Sequence, residues 1–148
     1  LDKASPMANA VLNYRAAKPI ETTQDLEIAL ERFLNDKTRN KTLAKVYQAV
    51  RIEVNAEMST LELMLEQATD LLKPSGRLVV MSYHSLEDRI VKNLVQTGNV
   101  AGDKNPDPFG NLPQVYKAIS RKPVMASSQE IEINSRARSA KLRVAERI

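Results

Sequence analysis

The chain has 148 residues, 43% of them hydrophobic and 27% charged, with a formal net charge of +4, one histidine and no cysteine. That is one globular domain's worth of material and not a disordered composition; it excludes disulfides and thiolate nucleophiles, and a lone histidine without cysteine argues against a metal centre. No run of 18 apolar residues occurs and nothing near the start resembles a signal peptide, so a soluble cytoplasmic protein is expected.

The chain opens on Leu1 rather than methionine, which reads as a piece of something longer. Ser5-Pro6 is a favourable helix start, and Met7, Val11, Tyr14 and Ala17 then recur at helical spacing until Pro19 forces a stop. Thr22 and Thr23 offer the next cap, followed by Leu26, Leu30 and Phe33 or Leu34 on one stripe. "NDKTRNK" is a polar, basic loop. Over residues 42–72 the apolar positions keep helical spacing for roughly eight turns, with Asn55 or the Ser59-Thr60 pair as the expected break.

"KPSG" is a turn. "RLVVMSY" is a continuous apolar, β-branched run, expected as a strand over 77–83 buried on both faces of a parallel sheet. "SLEDRIVKNLVQT" returns to helical periodicity. The following segment holds three of the four glycines and must be an exposed loop. A further strand is expected near 114–120 and a short helix at "SQEIEI", with Ser127 and Glu130 at capping-box spacing. A half-buried strand near 139–145 ends the chain, with Ala140, Leu142 and Val144 inward and Lys141 and Arg143 outward.

Two places carry chemistry. Residues 134–148 contain five basic side chains and one acid, so the whole net charge sits in this tail. Arg136, Arg138, Lys141 and Arg143 are candidates for RNA phosphates, with Ser139 as a further donor; the plainer reading is a strand edge kept soluble by charge. The other place is "SYHSLEDR", where the single histidine, His84, stands at the carboxyl end of a strand, the position where open α/β sheets bind ligands. A structural reading competes there. Ser85 and Asp88 have capping-box spacing, and Glu87 and Asp88 suit the first turn of a helix. That reading leaves His84 and Arg89 unexplained.

"RLVVMSYHSLEDRIVK" also resembles the signature "GGRLVVISFHSLEDRIVK" of bacterial methyltransferases that modify N4 of a cytidine in small-subunit (16S) ribosomal RNA. "YQAVRIEVNAEM" resembles their "FQALRIEVNDEL", and "NSRARSAKLRVAER" their "NPRARSAKLRVAER". The three blocks occur in order across residues 47–147. Departures include Tyr83 for a usual phenylalanine, Ser75 and Ser59 for glycines, Ser135 for a proline and Ala56 for an aspartate.

The resemblance implies an α/β fold: the carboxyl-terminal part of a Rossmann-like class I methyltransferase sheet over 45–148, with part of an inserted helical domain over 1–44. It implies S-adenosylmethionine as cofactor and 16S ribosomal RNA as partner. The glycine-rich cofactor loop of the family is not present here, so tight cofactor binding and activity are not expected of this chain alone, and an uncovered sheet edge invites self-association. His84 and Ser82 are implied at the catalytic position. Tyr83, Arg51, Asn55 and Arg89 are implied at the RNA, and Ser85, Glu87 and Asp88 as residues that orient the loop. Two other classes stay open: a non-catalytic RNA-binding or assembly module, and a histidine-centred hydrolase, for which no G-x-S-x-G elbow is present.

Overall fold

The computed structural model describes residues 3–104, 106–111 and 113–148. They form two compact units that divide between Asn55 and Ala56. The sequence-based partition at residue 44 falls inside a helix that runs unbroken to Val54.

The first unit is helical: α1 (Ala4–Ala17), α2 (Thr23–Leu30), a 3₁₀ turn (Glu31–Phe33) and α3 (Arg39–Val54). α1 starts one residue before the expected Ser5 cap, with Lys3 in the capping position and no side-chain cap. Pro6 therefore sits within the first turn, where its missing N–H costs nothing. Thr22 caps α2 as expected. Its Oγ1 accepts the Asp25 N–H at 3.1 Å, and the Asp25 carboxylate accepts the Thr22 N–H at 3.0 Å.

Asp25 is buried and also accepts from Lys18 Nζ (2.8 Å) and the Tyr14 hydroxyl (3.2 Å). The Lys18 ammonium and the Thr22 hydroxyl hold its carboxyl far below the ordinary carboxylate range. Met7, Leu30 and Val46 form the core, packed by Val11, Leu26, Phe33 and Leu34. α3 begins inside the expected "NDKTRNK" loop, where Arg39 binds both Glu27 (3.0 Å) and Glu31 (3.2 Å). Those partners lie 12 and 8 residues away, beyond the reach of a local reading.

The long helical stripe breaks at Asn55–Ala56, not at Ser59–Thr60. Ala56 adopts a left-handed conformation (φ 49°) before α4 (Glu57–Leu71). Aspartate, common here in the resembling signature, tolerates that region better than alanine. Ser75, likewise standing for a glycine, has φ 66° in the turn ahead of β1.

In the second unit β1 (Arg77–Ser82), α5 (Ser85–Thr97), β2 (Tyr116–Ala118), β3 (Val124–Met125), α6 (Ser128–Ile133), a 3₁₀ turn (Ser135–Ser139) and β4 (Lys141–Arg147) follow α4. The three expected strands are present. β3 was not anticipated, and the Ser127 cap of α6 was, its Oγ accepting the Glu130 N–H at 3.2 Å. β4 is the hub of the sheet: β1, β2 and β3 all pair with it antiparallel, in the order β1-β4-β2. β1 and β2 therefore run parallel to each other with β4 between them.

The expectation that β1 is buried on both faces of a parallel sheet is corrected. Its ladder partner is antiparallel, and its residues alternate: Leu78 and Ser82 are buried, whereas Val79 and Met81 are 56% and 53% exposed. A continuous apolar run does not say how many of its faces are covered. One face carries the core of Leu65, Leu78, Ile90, Val91, Leu94, Tyr116 and Ala145. The Tyr116 hydroxyl is satisfied by Thr69 Oγ1 at 2.9 Å.

The face assigned to β4 is corrected too. Directly opposed residues share a face, and Leu142 and Val144 stand opposite the exposed Met81 and Val79. Ala145, opposite Leu78, is the buried residue, and Arg143 shares its face. A shift of one residue in the assumed alternation inverts a strand.

Candidate functional site

The junction between β1 and α5 is built by the residues singled out in the sequence, in unexpected roles. The helix cap is His84 itself, not Ser85. His84 is in extended conformation, and its Nδ1 accepts the Glu87 N–H at 3.4 Å. The Glu87 carboxylate returns the bond, its Oε2 accepting the N–H of His84 (3.3 Å) and of Tyr83 (2.8 Å). The expected Ser85/Asp88 box is thus displaced by one residue. An imidazole nitrogen was not considered as a capping acceptor, although it can serve as one.

Capping fixes the imidazole's chemistry. With Nδ1 occupied as an acceptor, the neutral ring carries its proton on Nε2. Nε2 lies 3.2 Å from Glu87 Oε1, but off the line a hydrogen bond requires, and it is buried without a hydrogen-bond partner among the described residues. Ligand atoms of Glu57, His84 and Glu87 all lie within 4.8 Å of one another. The cluster therefore groups the His84 imidazole with two carboxylates at the carboxyl end of β1.

Glu57 was not singled out from the sequence. Its signal was present, because "NAEM" and the signature's "NDEL" share the glutamate. Such a donor set can in principle accept a cation, but the tautomer that the cap imposes removes the Nε2 lone pair a metal would need.

Asp88 has a different role. It is 7% exposed, and its carboxylate binds Arg143 Nε (2.7 Å), Arg143 Nη2 (3.3 Å) and Lys141 Nζ (3.1 Å). Burial works against its ionisation, yet Arg143 and Lys141 hold its carboxyl below the ordinary value. The Arg143 side chain is only 14% exposed.

Two of the five basic tail residues are thus spent inside the unit. Arg147 is a third: it donates to the Val115 carbonyl at 2.9 Å and lies over the Tyr116 ring. Arg136 and Arg138, on the 3₁₀ turn ahead of β4, and Arg89 on α5 are exposed and make no ion pair among the described residues. Ser139 ends that turn, exposed.

Ser82 is buried, and its hydroxyl donates to the Lys141 carbonyl at 3.4 Å. Tyr83 is 57% exposed and borders a cavity of about 290 Å³ with Met81, Met125, Leu142, Glu130 and Asn134. Arg51 lies in the last turn of α3 and Asn55 ends that helix, both within the first unit. Among the described residues no helix is long and apolar enough to cross a membrane.

With this geometry in place, comparison with known proteins gives the class. Residues 2–148 match the MraW methylase family, and the chain belongs to it. Its relatives include proteins named ribosomal RNA small subunit methyltransferase H. That of Flavobacterium johnsoniae is 47% identical over all of this chain and 49% of its own length. That of Amoebophilus asiaticus is 50% identical over 99% of this chain and 47% of its own. The Phocaeicola vulgatus protein is 46% identical over 99% and 48%. The chain spans about half the length of these curated relatives.

Proposed function

We propose that the natural full-length protein methylates N4 of a cytidine in small-subunit ribosomal RNA in the cytoplasm, using S-adenosylmethionine, and that this chain supplies the base-binding side of the site. The observation that carries the reading is the buried, unpartnered Nε2 of His84 in a cluster with the carboxylates of Glu57 and Glu87, in a chain aligned over its whole length with part of ribosomal RNA methyltransferases. An exocyclic amine that gains a methyl group must lose a proton. A carboxylate cluster oriented by an imidazole N–H can hold the amine and take that proton. Position and orientation of the amine supply most of the acceleration.

His84 is then a positioning donor rather than the base, because its only lone pair is committed to the helix cap. Tyr83 offers a partly exposed ring for stacking beside the junction. Ser82 is proposed to brace the end of the strand. Arg136, Arg138, Arg89 and Ser139 are proposed to reach RNA phosphates. Lys141 and Arg143 are proposed to act through Asp88, holding α5 and β4 together. Arg51 and Asn55 are carried over from the resemblance alone.

The sheet supports the Rossmann-like reading, since an antiparallel strand lies between two parallel ones joined through α5. The outer edge of β1 makes no ladder among the described residues, and further strands or a second copy can pair there. None of the four glycines forms a cofactor loop. Gly76 lies in the turn before β1, Gly98 ends α5, and Gly102 and Gly110 lie in the loop that follows, so none forms a strand-to-helix cradle. Cofactor contacts are accordingly not assigned to this chain.

The test is His84→Asn in the full-length protein, with methyl incorporation into small-subunit ribosomal RNA as the readout. Asparagine is among the best capping residues, so the fold is retained. Turnover should fall about 10²-fold, because the shorter amide caps the helix but does not reach the position of the imidazole Nε2, with a melting temperature close to that of the wild type. Full activity in both His84→Asn and Glu57→Gln overturns the assignment. RNA binding without any methyl transfer by the wild type favours an assembly module.

A further inference from the structure

The first unit holds a cavity of about 300 Å³ framed by the start of α1, the 3₁₀ turn and the first turns of α3. Lys3, Lys41 and Lys45 line it together with the hydroxyl side chains of Thr38 and Thr42, and the half-buried Phe33 forms part of its wall. No carboxylate lines it among the described residues. The Arg32 guanidinium lies 4.7 Å from the centroid of the Phe33 ring without lining the cavity itself.

The distribution of charge on α3 is selective. Arg39, two residues before Lys41, is neutralised by Glu27 and Glu31. Lys3, Lys41 and Lys45 make no ion pair among the described residues. Lys41 and Lys45 are one helical turn apart and so project from the same side of α3. Like charges held together around a concavity repel one another, and an anion in that concavity removes the repulsion. Ammonium groups and hydroxyls bind phosphate as point charges and short donors.

We propose that this cavity is a docking site for a backbone phosphate of the RNA substrate, separate from the β1–α5 junction and from the arginines of the tail. The choice of RNA over other anions rests on the reading under Proposed function. The open cavity admits a phosphate with its neighbouring sugars, and the hydroxyls of Thr38 and Thr42 add donors that a purely ionic patch lacks.

The test compares two double variants of the full-length protein with equal loss of charge. Lys41→Gln with Lys45→Gln removes two cavity lysines. Lys73→Gln with Lys92→Gln removes two exposed lysines of the second unit. All four are exposed and glutamine keeps helix propensity, so melting temperatures should match the wild type. Affinity for purified small-subunit ribosomal RNA is measured across a range of KCl concentrations.

The cavity pair should lower the log–log salt slope by roughly one to two units and weaken binding about tenfold at physiological salt. The control pair should change both far less. Equal changes in the two variants overturn the proposal. So does loss of binding to phosphatidylserine vesicles by the cavity pair with an unchanged RNA slope, which assigns the cavity to a membrane surface. Methyl transfer is scored in the same samples. A wild type that transfers no methyl group but keeps the difference in slopes loses the enzymatic reading and retains the docking site, whereas normal methylation with equal slopes removes the docking site alone.

Discussion

Among the described residues each unit buries one aspartate, and the two are used at different ranges. Asp25 is surrounded by Tyr14, Lys18, Glu21 and Thr22, all within 11 residues. It closes a helix start on the helix just before it. Asp88 meets Lys141 and Arg143, which are 53 and 55 residues away. It ties the first turn of α5 to the last strand. A carboxylate with local partners sets a local bend, whereas one with distant partners decides which strand a helix packs on. The same residue type thus does one task that the surrounding sequence announces and another that it does not.

The sharpest way to break this comparison is to remove the distant anchor. Asp88→Ala leaves Arg143 and Lys141 without their counter-charge in a mostly buried position, and should destabilise the protein by about 3–5 kcal/mol in urea denaturation. A loss below about 1 kcal/mol would make the pair a bystander of packing.

Acid should act through the same group. The folded-state pKa of Asp88 lies below the unfolded one, so its contribution is complete above the ordinary value of 3.8 and is lost as pH falls below it toward the lowered folded pKa. The stability gap between wild type and Asp88→Asn should therefore be widest near neutral pH and shrink in that acid window. Asp25 is lowered in the same direction, so Asp25→Asn should show the same trend. A gap independent of pH would place either aspartate's role in shape rather than charge.

The caps come next in size. Thr22→Ala and His84→Ala each remove one side-chain acceptor from a helix start and should cost about 1 kcal/mol. His84→Asn should cost only a few tenths on the same principle. Matching losses on thermal unfolding would establish that the imidazole caps as well as a hydroxyl. The smallest effect is a gain. Ala56→Gly and Ser75→Gly relieve left-handed backbone at two non-glycine positions and should each stabilise by under ~1 kcal/mol, read as a shift in the denaturation midpoint.

The amino-acid sequence by itself determined the elements whose causes are local. The Thr22 cap, the stop before Pro19, the strand at 77–82, the Ser127 cap and the strand of the tail were all legible in windows of a few residues, although the tail strand lies inside the sheet and not at its edge. It also pointed to the β1–α5 junction as the candidate site, through its lone histidine and the three blocks resembling one methyltransferase signature. Tertiary structure alone decided that β4 turns Arg143 and Ala145 inward, that Lys141 and Arg143 belong to Asp88, and that Glu57 joins His84 and Glu87. The reason is physical. Alternation along a strand is satisfied equally by either face, and only the covering helix, here α5 with its buried carboxylate, breaks that symmetry.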